Sequence, residues 1–131
     1  MNTGSTPAGQ KTILYVEDNE ANRKMVRLLL RNTDYALIEA YDGEAGVLKA
    51  LEARPDLILM DVQLPKISGL EATRRLRAQV VTANTPIIVI TSFALSGDDR
   101  TAKDAGATAY IAKPYSPRDL LALIRKTLSE A

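Results

Sequence analysis

The 131-residue chain contains no histidine, no cysteine, no tryptophan and a single phenylalanine. Each absence removes a class of function. Without imidazole or thiolate there is no His/Cys zinc site and no iron–sulfur centre. Without cysteine there is no disulfide framework of the kind that staples small secreted scaffolds. A Ser–His–Asp triad, a Cys–His pair and a histidine proton shuttle cannot be assembled within the chain. No apolar run approaches the ~20 residues that span a bilayer, which argues against membrane insertion. No apolar core of a secretory signal stands in MNTGSTPAGQKT, so the expected location is cytoplasmic. There is also little excess charge: 17 basic residues face 16 acidic ones, net +1. A dedicated nucleic-acid binder carries a larger positive field, so no nucleic-acid partner is expected. The triplet Arg74, Arg75 and Arg77 reads as a solvated helix face. No GxxxxGK[ST] phosphate loop is present. Any chemistry falls to carboxylates, hydroxyls, lysine, the main chain or a bound cation.

What is present is a regular alternation. Hydrophobic residues make up 46% of the chain, enough for one ordinary domain. Residues 1–11 read as a flexible polar tail, and 12–131 as a single domain. Ile13–Val16, Tyr35–Ala40, Leu57–Met60, Ile87–Ile90 and Ala109–Ala112 read as strands. Helices are expected at Asn19–Arg31, Gly43–Ala53, Leu70–Ala78, Asp98–Ala105 and from Ser116–Pro117 to about Ser129. In the first helix Met25, Leu28, Leu29 and Leu30 recur at helical spacing. In the second, Ala45, Leu48 and Leu51 are expected to face the core. Ser116 is a natural N-cap, Pro117 suits the first helical position, and Asp119 sits near the positive end of the helix dipole. Five strand–helix repeats give (βα)5, an α/β fold with a parallel sheet covered on both faces. Right-handed crossovers point to a doubly wound, flavodoxin-like sheet with strand order 2-1-3-4-5.

In such a sheet ligands bind beyond the carboxyl ends of the strands, at the topological switch point. Here that point lies between strands 1 and 3. Strand 1 ends in Glu17–Asp18, strand 3 in Asp61, strand 4 in Thr91–Ser92 and strand 5 in Lys113. Three acids, two hydroxyls and one lysine are therefore expected at one edge. Two carboxylates ~4 Å apart repel by roughly 4 kcal/mol at an effective dielectric near 20, so the cluster needs cations. Lys113 supplies one charge. An all-oxygen donor set with open positions suits Mg²⁺, which keeps waters and binds phosphate oxygens. A carboxylate can itself accept a phosphoryl group, while a metal, a lysine and a threonine stabilise the transferring oxygens.

These residues resemble the receiver domain of two-component response regulators. The resemblance rests on Val16-Glu17-Asp18-Asn19, on Leu59-Met60-Asp61-Val62-Gln63-Leu64-Pro65 with Gly69 after it, on Ile90-Thr91-Ser92, and on Lys113-Pro114-Tyr115. It extends over about residues 12–130. Within the family the strings are most similar to small cell-division regulators that consist of a receiver alone. A chain that starts at Met1 and stops after the last helix fits that expectation, although a receiver cut from a hybrid kinase would look similar.

The resemblance implies roles. Asp61 accepts a phosphoryl group from a phosphohistidine on a histidine kinase or a histidine phosphotransfer protein. Asp18, Asp61 and the main-chain carbonyl of Gln63 bind Mg²⁺, and Glu17 acts through a metal-bound water. Thr91 and Lys113 hold the phosphoryl oxygens. Tyr110 is the aromatic switch that turns inward as Thr91 moves. A cis Lys113–Pro114 bond is implied as well. The early first helix, with Glu20, Asn22 and Arg23, meets the donor. The fourth helix, fifth strand and fifth helix, including Arg100, Lys103, Tyr110, Tyr115 and Arg118, form the face that a downstream protein reads.

Two residues depart from the family pattern: Glu17 replaces the commoner aspartate, and Ser92 stands where alanine is usual. Gln63 and Phe93 flank the site, and the bulk of Phe93 implies a long-lived phosphoaspartate. The implied protein is a monomeric signalling switch and not an enzyme. Two alternatives are an Mg²⁺-dependent phosphatase with an aspartate nucleophile, which would want a second acid where Gln63 stands, and a receiver that interacts without being phosphorylated. A flavin-binding module fits less well, since the first loop offers acids where a phosphate needs donors. A chain with no histidine cannot hold the donor half of a histidine-to-aspartate transfer, so the donor must be another protein.

Overall fold

The structure, a computed structural model, describes residues 9–92 and 98–129. Phe93 and most of the tail lie outside the described residues, as does the Arg100 side chain. Five strands and five helices alternate: β1 (Thr12–Val16), α1 (Glu20–Arg31), β2 (Ala36–Ala40), α2 (Gly43–Ala53), β3 (Leu57–Asp61), α3 (Gly69–Arg77), β4 (Ile87–Thr91), α4 (Asp98–Ala105), β5 (Ala109–Ala112) and α5 (Pro117–Ser129). A short 3₁₀ turn, Val80–Thr82, follows α3. The strands form one parallel sheet in the order β2-β1-β3-β4-β5, as the crossover rules require.

Side-chain alternation sorts the core into two layers. Leu14, Val16, Ile58, Met60, Ile87 and Val89 point to the face that also holds Ala50 of α2, Leu76 of α3 and Ala102 of α4. Ile13, Tyr15, Leu57, Leu59, Ile88 and Ile90 point to the other, with Val26 and Leu30 of α1 and Leu120 and Ile124 of α5. β3 and β4 are buried along their whole length, as central strands of a doubly covered sheet must be.

The helices begin where the caps predict. Asn19, Asp42 and Ser68 each accept a hydrogen bond from a main-chain N–H three residues on. Ser116 Oγ likewise accepts from the N–H of Asp119 at 3.0 Å.

Some sequence expectations need correction. Leu48 is 69% exposed, and the buried stripe of α2 is Gly43, Gly46 and Ala50. A Cβ on Gly46 would come within 2.8 Å of the Val16 side chain, so α2 lies too close to the sheet for a large residue there. Leu28 of α1 is 47% exposed; Val26 and Leu30 carry the contact.

The arginine triplet also divides. Arg74 and Arg75 are exposed and pair with Glu71. Arg77 instead donates to the carbonyls of Thr82, Thr85 and Gly106 at 3.0, 2.6 and 2.8 Å, and to Thr108 Oγ1 at 3.2 Å. No helix of the described residues is long and apolar enough to cross a membrane.

Candidate functional site

Strand register decides which side chains meet. Val16 is paired with Met60, so Glu17 comes level with Asp61 one residue further on. Both follow the α1/α5-facing positions in parity, as does Lys113 after Ile111. Each strand ladder continues one bond past its end: the N–H of Glu17 donates to Ala40 O at 3.0 Å, and that of Lys113 to Thr91 O at 2.7 Å. α3 starts tightly against the end of β3. The Gly69 N–H donates to Val62 O at 2.9 Å, and a Cβ on Gly69 would strike the main-chain carbonyl of Asp61. Only glycine lets α3 begin so near the acid.

Asp61 and Glu17 are each 2% exposed. Lys113 Nζ donates to Asp61 Oδ2 and lies 3.7 Å from Glu17 Oε1. Asp61 Oδ1 accepts the N–H of Gln63 at 2.9 Å. Two buried carboxylates thus share one ammonium. Burial, followed by the hydrogen bond and charge of Asp61, pushes the Glu17 carboxyl above the usual carboxylate range. Burial works against the charge of Lys113, but its hydrogen bond to Asp61 and the charges of Asp61 and Glu17 prevail and raise it.

Not every expected residue joins the cluster. Asp18 lies beyond the strand end and is exposed, so two of the three acids are brought together and the third stands at the rim. Among the described residues no three acids gather closely enough to hold a metal between them. The donor set nevertheless fits a hard cation that keeps its own waters. With Asp18 the edge carries three carboxylates against one ammonium, an excess that a divalent ion would balance. Carboxylates with open positions suit Mg²⁺ better than Ca²⁺, which takes more protein oxygens.

Thr91 is buried and, by alternation, belongs to the opposite face of the sheet. Tyr110 follows the same parity on β5 and is 40% exposed. Ser92, just past β4, is exposed. The Lys113–Pro114 peptide is cis.

On the proposed reading face Lys103 and Arg118 are exposed, while Tyr115 is half-buried. Arg23, expected to face a donor, is buried, with its guanidinium 4.1 Å over the Tyr41 ring. It donates to the main-chain carbonyl of Glu17 at 2.9 Å and to Glu20 at 2.8 Å, and it sits 3.3 Å from Glu39. Arg23 therefore holds the acidic loop from within.

Sequence reasoning missed Tyr15. Its hydroxyl donates to Glu17 Oε1 at 3.2 Å, the oxygen that also accepts from Asn22 Nδ2 at 3.2 Å. The available signal was a tyrosine two residues before the acid, hence on the same strand face. A cleft of about 360 Å³ opens beside this cluster, lined by Asn22, Met25, Ser92, Lys113, Pro114 and Tyr115.

Known proteins resemble this chain over nearly its whole length. The model of the response regulator receiver domain matches residues 13–125. The polar-differentiation response regulator DivK of Brucella anthropi is 40% identical over 121 residues, 92% of this chain and 98% of that protein. The receiver domain of the sensor histidine kinase PA1611 from Pseudomonas aeruginosa, solved with a magnesium ion in its active-site cleft, superposes with a TM-score of 0.85. It is 36% identical, covering 92% of this chain and 99% of that one. The chemotaxis response regulator CheY4 of Vibrio cholerae superposes equally well, TM-score 0.85, at 31% identity over 90% of this chain and 98% of its own. A five-stranded order of 2-1-3-4-5, an acid–lysine cluster at its switch point and these relatives agree: the chain belongs to the response regulator receiver family.

Proposed function

We propose that this receiver takes a phosphoryl group on Asp61 from a phosphohistidine of a histidine kinase or phosphotransfer protein. The observation that carries the reading is Asp61 itself. It is a buried carboxylate at the end of β3, gripped by Lys113 and the Gln63 N–H and facing a second acid. A purely structural acid at that place would need one cation and no crowded neighbour.

In the transfer a carboxylate oxygen of Asp61 bonds to phosphorus as the donor's P–N bond breaks. The departing imidazole takes up a proton, and nothing is oxidised. Lys113 and Thr91 hold the phosphoryl oxygens by charge-assisted hydrogen bonds. Asp18, Asp61 and the Gln63 carbonyl would hold Mg²⁺, with Glu17 acting through a bound water. The ion supplies neutralisation of the crowded oxygens. The cleft beside Lys113 and the start of α1 suit entry of the donor.

The added phosphoryl carries roughly two negative charges. It favours whichever arrangement binds them better. Moving a population from 1% to 99% active takes about 5.5 kcal/mol, within reach of several charge-assisted bonds. Thr91 and Tyr110 carry the change to the α4–β5–α5 face, where a downstream protein reads it or a further phosphotransfer follows. The 40% identity to DivK over most of both chains supports a regulator of that type.

Incubation with acetyl phosphate and Mg²⁺, followed by intact mass analysis, tests the reading. One phosphoryl adduct is expected in the native chain and none in Asp61→Asn. An unchanged mass would mean an interaction-only receiver. Steady turnover of a model phosphate ester would mean a phosphatase.

A further inference from the structure

Glutamate at position 17 has one more methylene than the aspartate usual there, and with it another torsion to restrain. Four groups restrain it. The Tyr15 hydroxyl and Asn22 Nδ2 both donate to Oε1 at 3.2 Å. The Asn19 N–H donates to Oε2 at 3.2 Å, and Lys113 Nζ stands 3.7 Å from Oε1. Tyr15 is the fixed member of this set. It lies wholly within the core, on the same face of β1 as Glu17. An ionised carboxylate can only accept. The Tyr15 proton therefore goes to Glu17.

We propose that Tyr15 is a positioning residue for the metal site. Its buried hydroxyl draws the longer Glu17 side chain back so that the carboxylate lies beside Asp61 instead of reaching across it. Asn22 completes the hold from α1. The idea rests on the Mg²⁺-assisted reading above and deepens it. Groups outside the ligand set commonly change metal affinity about 10–100-fold when removed. An aspartate at this position is too short to keep the bond to Tyr15, so the effect should exist only with glutamate.

A double-mutant cycle tests this. Mg²⁺ dissociation constants are measured by calorimetry on the full chain for native, Tyr15→Phe, Glu17→Asp and the double variant, with urea midpoints alongside. Tyr15→Phe is expected to weaken Mg²⁺ binding about tenfold with Glu17 present, and by less than about twofold in the Glu17→Asp background, where the bond is already lost. Asn22→Ala, at the surface end of the same contact, should repeat the pattern even if Tyr15→Phe folds poorly. An equal loss in both backgrounds would show a merely structural tyrosine and overturn the proposal. So would no loss in either background while the native chain binds Mg²⁺ normally. A native chain that binds no Mg²⁺ would overturn the metal-assisted reading itself, and the proposal with it.

Discussion

Glu17 is the residue whose environment says most about the site. Its carboxyl is pushed up by burial first and by Asp61 second, so in the metal-free chain it holds its proton to higher pH than a free glutamate does. Metal and proton compete for such a group. Mg²⁺ affinity is therefore expected to fall as pH drops from about 8 to about 5, with protons released on binding. The sign for folding is opposite. A raised carboxyl favours the folded, protonated form as pH falls, and that contribution is lost as pH rises through the raised value. Calorimetric titration in buffers of differing ionisation enthalpy measures both affinity and proton release; an affinity flat across that range would refute the assignment. Asp61, Glu17 and Lys113 could be found from sequence because each ends a strand, and strand ends converge by topology. The hold on Glu17 could not. Whether Tyr15 is a core filler or a hydrogen-bond donor depends on a hydroxyl placed to a few tenths of an ångström. Arg23 misleads for a related reason: an arginine at a helix start suggests solvent, but Tyr41 covers it.

The second helix illustrates where hydropathy misleads. Its buried positions are the small residues Gly43, Gly46 and Ala50, while the bulky Leu48 faces outward. The core pattern of α2 is thus set by closeness of approach and not by side-chain size. Gly46→Ala is expected to destabilise the chain by about 1–3 kcal/mol through overpacking on Val16. Leu48→Gln should stay within about 0.5 kcal/mol. Urea denaturation of both variants checks the pair, and the reverse order would refute it. Elsewhere the elements were readable nearly to their ends, because Asp42 and Ser116 mark them with side-chain caps. The 3₁₀ turn at Val80–Thr82 escaped notice since it has no side-chain cap hydrogen bond. Its Thr82 is tied instead to Leu76 O through Oγ1.

Arg77 joins parts of the molecule that are distant in sequence. One guanidinium links the end of α3, the 3₁₀ turn, the approach to β4 and the α4–β5 turn. Its partners are carbonyls and a hydroxyl, and burial lowers its pKa. Replacing it strands several partly buried carbonyls, each worth about 1–3 kcal/mol when left unpaired. Arg77→Leu is expected to cost at least about 2 kcal/mol by urea denaturation, whereas Arg74→Ala, an exposed partner of Glu71, should cost under about 1 kcal/mol. Equal effects would show that Arg77 is one more solvated arginine. The sheet as a whole has a further consequence. Because side chains alternate, Asp61, Glu17 and Lys113 lie toward one face, and Thr91 and Tyr110 toward the other. The first group is backed by α1 and α5, the second by α2, α3 and α4. Under the proposed function, a message laid down at the acids must cross the thickness of the sheet before Tyr110 can pass it on.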